Sequence, residues 1–280
     1  MPEGPESHTI ASKLRPNLVN LFLIEVKVNT PTVQQDLRLL SLPLKVLEVY
    51  ARGKRVLFVM ERGIFVTFLG MTGRWTWSLT EGVMPHLSFT FSRTSDSGLD
   101  EEVRVLHYLD VRKFGMVSYY IEYVPFQKYF SSIGPDMLSE PPTFEKYLQT
   151  MREVCEKRAK RGNKVLTLTG WLLDQKYYSG VGNYLKSEIL YFARLDPHRG
   201  INQLTDEEVF RMYQCTLDVM KLSYFNGGLT ISDYWSPDGN PGTYQCMIYM
   251  RAGQRDVHGF EIKSYKDDGR TTFWVPELQH

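Results

Sequence analysis

Three cysteines, none paired as Cys-x-x-Cys, are all that 280 residues provide. Cys155, Cys215 and Cys246 are odd in number and far apart. That excludes a disulfide framework and reads as reduced thiols in an intracellular protein, nuclear if its source is eukaryotic or viral. No stretch approaches the ~18 consecutive apolar residues of a membrane span, and no repeat or low-complexity tract occurs. Net charge is nearly absent too: 33 basic against 32 acidic side chains leave +1, so any anion-binding surface must be local. The start of the chain lacks the basic region and apolar core of a secretory signal, and the expected mature start is the encoded one less Met1.

What is present is an ordinary globular composition, 42% hydrophobic, in a chain long enough to bury roughly 70–75% of its unfolded surface. From about residue 22 to 124 the sequence is a series of short β-branched and aromatic runs: Phe22 to Val28, Leu44 to Tyr50, Arg55 to Met60, Ile64 to Phe68, Arg74 to Ser78, His86 to Phe91, Val103 to Leu109 and Gly115 to Tyr123. Gly63, Gly70, Gly73 and Gly82 punctuate them as turns, which predicts an antiparallel sandwich or barrel. Ile10 and Leu14 predict one short helix over residues 6–15, ended near Pro16.

Residues 134–142 have no period and three prolines, the composition of a boundary. Helical signals follow it. Leu185, Ile189 and Phe192 mark one helix after the Gly180-Val181-Gly182 turn, ended by Pro197. Thr205 with Glu208 forms a capping box for a second, with Val209, Met212, Thr216 and Met220 on one face. Strands return at Met247 to Arg251, Glu261 to Tyr265 and Thr271 to Val275, and Asp268-Gly269 is a type I′ hairpin signal. The division expected is a β-sandwich domain at 1–134, a linker at 135–150, a helical domain at 151–242 and a terminal hairpin module at 243–280.

Pro2 is the most unusual candidate for chemistry. Removal of Met1 leaves a secondary amine, which attacks an aldehyde-like carbon to form an iminium ion, and an α-amino pKa of about 8 keeps a neutral fraction at pH 7. Glu3 and Glu6 supply carboxylates for proton transfer, although first-turn acids also suit a helix dipole. The one dense basic run, Lys157-Arg158-Ala159-Lys160-Arg161 followed by Lys164, is open to three readings: a solvated helix face, an import signal or a phosphate-facing patch.

Taken together, M-P-E-G-P-E at the start, D-Q-K-Y-Y-S-G-V-G-N-Y-L-K-S-E-I-L-Y at Asp174 to Tyr191 and D-G-R-T-T-F-W at Asp268 to Trp274 resemble the formamidopyrimidine-DNA glycosylase/endonuclease VIII family. A-R-G-K ending at Lys54, L-G-M-T-G ending at Gly73, D-V-R-K-F-G ending at Gly115 and G-P-D-M-L ending at Leu138 keep the same order. The resemblance implies an α+β chain of two domains: an antiparallel β-sandwich with an N-terminal helix, then a helix-two-turn-helix domain with a β-hairpin finger. It implies a bifunctional DNA glycosylase and AP lyase that removes oxidised bases, acts through a Schiff base on Pro2 and nicks the strand by β,δ-elimination.

By the same resemblance, Glu3 is the acid that opens the deoxyribose, Glu6 a second carboxylate near the flipped base and Lys54 a phosphate contact beside the lesion. Asn183 and Arg270 clamp the flanking phosphates, and Met71, Arg112 and Phe114 fill the space left by the flipped base, with core packing the competing account for Met71 and Phe114. The expected partner is damaged DNA, double- or single-stranded, with no membrane and no cofactor, and the chain is expected to act as a monomer. A non-catalytic damage-binding protein on the same scaffold is the alternative.

Two departures from the family pattern stand out. Val275 and Leu278 occupy the places of the second Cys-x-x-Cys pair, and Cys246, His258 and His280 are too few and too scattered for a tetrahedral site, so the finger is expected to be zincless and to hold no metal. Gly4 resembles the endonuclease VIII branch, which favours oxidised pyrimidines, whereas Gly227-Gly228 and the stretch from Asp238 to Gly242 resemble the formamidopyrimidine branch.

Overall fold

The computed structural model describes residues 2–30, 37, 40–94, 103–121, 123–230, 235–267 and 269–280. It divides into two compact units, Met1–Ser132 with Asn226–Tyr244, and Ile133–Phe225 with Gln245–His280.

The first unit is the antiparallel β-sandwich with its N-terminal helix. Its strands are β1 (Phe22–Val28), β2 (Leu44–Arg52), β3 (Arg55–Met60), β4 (Ile64–Phe68), β5 (Gly73–Thr76), β6 (Leu87–Ser92), β7 (Arg104–Asp110) and β8 (Met116–Tyr120). They run in the order β5-β7-β6-β1-β2-β3-β4-β8, which leaves β5 and β8 as edges, so the sheet folds over instead of closing into a barrel. The fold line is the short β1–β2 pairing, Phe22 with Lys45 and Leu23 with Leu44, against five or six paired residues elsewhere in the centre. Aromatic side chains from the two halves meet inside: Phe58 lies 5.3 Å from Trp75, and Phe89 lies 4.9 Å from Phe65. Helix α1 (Gly4–Leu18) covers this core with Ile10, Ala11, Leu14 and Leu18. A short helix, α2 (Tyr123–Ser131), ends the unit, with Phe126 packed on Leu57 and Val66.

Helix α1 runs past Pro16, beyond the expected stop. Pro16 removes the N–H that would reach the Ser12 carbonyl, but full burial of Leu14 and Leu18 holds the last turn, and the Asn17 side chain adds a bond to the Lys13 carbonyl at 2.9 Å. The break comes at Asn20, whose φ of 73° turns the chain into β1.

The second unit is helical: α3 (Phe144–Lys160), α4 (Leu168–Leu173), α5 (Asn183–Ala193) and α6 (Asp206–Phe225), followed by the hairpin β9 (Lys263–Asp267) and β10 (Arg270–Trp274). The Thr205–Glu208 capping box forms in both directions, at 2.9 and 3.2 Å, and Arg199 clamps the same Glu208 carboxylate at 2.7 and 2.9 Å. Val209, Met212, Thr216 and Met220 are buried. Helix α5 is not one-faced: Tyr184 through Tyr191 are all buried, and the expected marker Phe192 is exposed.

Three expectations change. The segment 135–150 is not a linker. Gly134 N–H donates to the Gln175 carbonyl at 2.8 Å, Met137 N–H to Ser179 at 3.1 Å, and α3 begins at Phe144. Prolines there cannot advertise hydrogen bonds that their neighbours make. Residues 226–242 group with the sandwich and not with the helical domain, because the Leu229 N–H is taken by Glu6 and the Pro237 carbonyl by the Trp77 N–H. Met247 to Arg251 is not a strand, since the Met247, Ile248 and Tyr249 N–H groups converge on the Glu188 carboxylate at 2.7–3.0 Å. The type I′ signal at Asp268-Gly269 falls partly outside the described residues; Gly269 has φ 73°.

Truncation of Phe89, the hub of the sandwich core, should leave a cavity that rigid neighbours cannot fill. Phe89→Ala is expected to cost about 3–5 kcal/mol and Phe89→Leu clearly less, read from urea midpoints.

Candidate functional site

The chain start is held with unusual firmness. Pro2 and Glu3 are buried, and Glu3 is the N-cap of α1, with Pro5 in the first turn. Glu6 ties this end down with both carboxylate oxygens: Oε2 accepts the Glu3 N–H at 2.8 Å and Oε1 the Leu229 N–H at 2.9 Å. Leu229 follows Gly228, whose carbonyl a Cβ on Gly242 would strike, so the segment needs glycine at 242. Sequence reasoning did not foresee that Glu6 would be engaged in this way, because its partner lies 223 residues away.

Lys54 occupies the two-residue turn between β2 and β3, the strands α1 packs against, and is itself buried. Gly53, at φ 57°, is the only positive-φ residue of that turn, the II′ pattern, which explains glycine immediately before the lysine.

Met71, Arg112 and Phe114 come together on two loops that Asp110 joins. Its Oδ1 accepts from the Thr72 hydroxyl at 2.7 Å, its Oδ2 from the Gly115 N–H at 2.6 Å, and the Thr72 hydroxyl in turn accepts the Arg112 N–H at 3.0 Å. Gly70 adopts φ 61°, and a Cβ on Gly115 would collide with the Tyr108 hydroxyl, so these glycines let the loops approach. Phe114 is 60% exposed and the Arg112 guanidinium reaches the Met71 sulfur at 3.5 Å. Phe114 therefore does not belong to the core.

In the second unit Asn183 is the first residue of α5, after Gly182. Its Nδ2 donates to the Thr271 carbonyl at 3.1 Å and its Oδ1 accepts from Lys186 Nζ at 2.9 Å. Lys186, 1% exposed, also donates to the Thr272 hydroxyl at 2.8 Å, so one buried ammonium fixes the Asn183 amide and the strand β10 together. Arg270 begins β10 and is exposed next to the hairpin tip. The signal that could have pointed to this network is Lys186-Ser187-Glu188, three polar residues in the middle of a helix stretch that is otherwise apolar from Tyr184 to Phe192.

The module that follows is held by ordinary side chains. Tyr191, Ile248, Ile262 and Val275 form a closed apolar cluster, with Met247, Phe273 and Leu278 against it. The Asp256 carboxylate accepts from the Tyr191 hydroxyl at 3.0 Å and from the N–H groups of His258 and Phe260 at 3.0 and 2.9 Å. Burial, with Asp256 beside it, pushes the Tyr191 hydroxyl up to about 12. Among the described residues no group of three or more His, Cys, Asp or Glu is arranged to hold a metal ion. Val275, in that cluster, and Leu278, packed against it, carry no atom that could bind zinc.

The first 117 residues match the formamidopyrimidine-DNA glycosylase N-terminal domain, and residues 133–234 match the formamidopyrimidine-DNA glycosylase H2TH domain. A formamidopyrimidine-DNA glycosylase of Thermus thermophilus is 34% identical over 290 residues, covering 100% of this chain and 98% of that protein. The chain belongs to the formamidopyrimidine-DNA glycosylase family. A second member, from Edwardsiella ictaluri, is 29% identical over the full length of both chains. The crystal structure of the MutM (Fpg) protein from Thermus thermophilus superposes with a TM-score of 0.84 at 30% identity, covering 99% of this chain and 98% of that one. A complex of Lactococcus lactis Fpg with abasic-site DNA shares the fold at TM-score 0.83 and 22% identity, with 99% of each chain covered. Members of this family are DNA glycosylases with AP lyase activity. No described helix is long and apolar enough to cross a membrane.

Glu188 collects three backbone N–H groups on a buried carboxylate, where charge-assisted bonds are strong. Glu188→Gln should leave at least one N–H without its acceptor, costing about 1–3 kcal/mol locally. The expected readout is faster hydrogen exchange at Met247, Ile248 and Tyr249 with α6 still protected.

Proposed function

We propose that this protein is a bifunctional DNA glycosylase and AP lyase of base excision repair, with an N-terminal proline as nucleophile. The observation that carries this reading is the anchored chain start: a terminus normally frays, yet here Pro2 and Glu3 are buried and tied through Glu6 to a distant segment. A nucleophile needs that positional restraint.

With Met1 removed, the Pro2 nitrogen attacks C1′ of the damaged nucleotide and the bond from C1′ to the base breaks, the base leaving with a proton. Glu3 gives a proton to the ring oxygen as the bond from C1′ to that oxygen opens, and the nitrogen lone pair forms the iminium. The iminium acidifies the C2′ proton, whose loss expels the 3′ phosphate; a second elimination expels the 5′ phosphate, and water hydrolyses the iminium to return the amine. Glu6 holds Pro2 and Glu3 in place, because its two oxygens already accept backbone N–H groups. Lys54 neutralises the phosphate beside the lesion, and Asn183 and Arg270 take its neighbours, Arg270 through the fork geometry that suits phosphate oxygens. Met71, Arg112 and the exposed Phe114 enter the stack when the base leaves it, offsetting part of the few kcal/mol of unstacking.

The partner assigned is damaged DNA, the kind of ligand held by the solved Lactococcus lactis relatives. Gly4 supports the endonuclease VIII-like branch and a preference for oxidised pyrimidines, and the apolar Val275 and Leu278 support a zincless finger. Gly227-Gly228 and the names of the relatives favour the formamidopyrimidine branch instead.

Borohydride added during reaction with abasic-site duplex should trap a covalent adduct on Pro2, and a Pro2→Gly variant with an acetylated terminus should trap none. Glu3→Gln should slow base release more than nicking of a preformed abasic site. An adduct on Lys54 in the unmodified protein, or a retained Met1 in active protein, would overturn the assignment. Run on duplexes bearing oxidised pyrimidines and purines, the same assay ranks the bases; faster purine release would move the protein to the formamidopyrimidine branch.

Elemental analysis should find well under one zinc per chain, and a chelator should leave nicking unchanged. One firmly held zinc per chain would contradict the apolar finger.

A further inference from the structure

The basic run from Lys157 to Arg161 has no part in the reaction just described, yet in the second unit it lines a cavity of about 280 Å³. Lys157, Arg158, Arg161 and Asn163 come from the end of α3 and the turn after it, and Lys176 and Tyr177 face them from the turn that leads to α5. The one carboxylate in the lining, Glu153, is already bound by Lys157 at 3.2 Å and by Gln149 at 3.0 Å. Arg158 is aimed by a bond from its Nε to the Lys164 carbonyl at 2.8 Å, leaving its two terminal nitrogens for another group. Among the described residues Arg158, Arg161 and Lys176 have no carboxylate partner. Basic residues in a last helical turn suit the helix dipole, but Lys176 is on no helix, so the dipole does not account for the cluster.

The Tyr177 ring is already engaged. Lys176 Nζ lies 4.6 Å from its ring centroid and Trp171 stacks on it at 5.1 Å. What the lining presents is guanidinium, ammonium and amide donors, the chemistry of phosphate recognition without base readout.

We propose that this cavity binds a backbone phosphate of the DNA, outside the lesion clamp; this rests on the function proposed above. Tyr177 precedes Asn183 by six residues, a reach of at most about 22 Å, or roughly six base-pair steps of ~3.4 Å. The turn between them is stiff: the Gln175 side chain donates to the Leu173 and Val181 carbonyls and accepts the Gly180 N–H, at 2.8–3.0 Å. A strand whose phosphate sits at Asn183 therefore has further phosphates at separations that span the distance to the cavity.

The test compares two duplexes of equal length around an abasic analogue: a short-tract duplex with a phosphate backbone for about two steps on each side and neutral methylphosphonate linkages beyond, and a long-tract duplex with phosphate throughout. The salt dependence of binding is measured for the unmodified protein and for Arg161→Ala/Lys176→Ala, a double variant at the surface. On the long-tract duplex the variant is expected to bind several-fold more weakly, with a salt slope smaller by about one, and to match the unmodified protein on the short-tract one. Millimolar inorganic phosphate at constant ionic strength should erase the advantage of the long-tract duplex. Equal losses on both duplexes, or none on either, would overturn the proposal. So would phosphate binding in the absence of tract-length dependence, which would make the ligand a free anion, and loss of nuclear import with DNA binding intact, which would make the run an import signal. Borohydride trapping on the short-tract duplex separates the two claims. If trapping persists without tract-length dependence, only the outer phosphate contact fails; if trapping fails, the glycosylase reading fails with it.

Discussion

The first helix holds the second residue of the chain still, and the sandwich core in turn holds the helix. Leu14 and Leu18 are fully buried at one end of α1, and the Glu6 carboxylate bridges Glu3 and Leu229 at the other. Burying a carboxylate is costly unless it is hydrogen-bonded, and here two backbone N–H groups, which need acceptors in any case, supply the bonds. The cost of burying Glu6 and the need to satisfy Leu229 offset one another. The result is that Pro2 and Glu3 are buried and fixed where a chain end would otherwise fray.

The helical unit uses the same device twice more. Within α5, Lys186 and Glu188 are buried polar residues whose partners are backbone and hydroxyl groups of the finger module. They tie the hairpin and the loop before it to one helix, while Tyr191, Ile248, Ile262 and Val275 close the space by packing. A metal site would concentrate that binding energy on four ligands. Here it is spread over hydrocarbon, three N–H groups on one carboxylate and the Tyr191–Asp256 bond.

Charge follows a related logic. A net charge of +1 gives little long-range attraction for DNA, and the structure gathers cations locally instead: Lys54 in a tight turn, Arg270 by a hairpin tip, Arg158, Arg161 and Lys176 about one cavity. Short-range contacts of this kind fix register on a duplex more than they speed encounter.

Much of the first unit was legible in the residues. β3 and β4 begin and end where their β-branched runs do, because alternation and turn glycines are local properties. The Thr205–Glu208 box marked the start of α6 for the same reason, and the order of seven short motifs pointed to the family and to Pro2, Glu3, Lys54, Asn183 and Arg270. The tertiary structure alone decided the rest. Met247 to Arg251 looks like a strand until Glu188 claims its N–H groups, the proline-rich stretch near 135 looks like a linker until the turn at 175–179 pairs with it, and residues 226–244 join the sandwich through Glu6 and Trp77. Each of these depends on a hydrogen bond between residues tens to hundreds of positions apart, and a local pattern carries no record of which distant donor or acceptor will complete it.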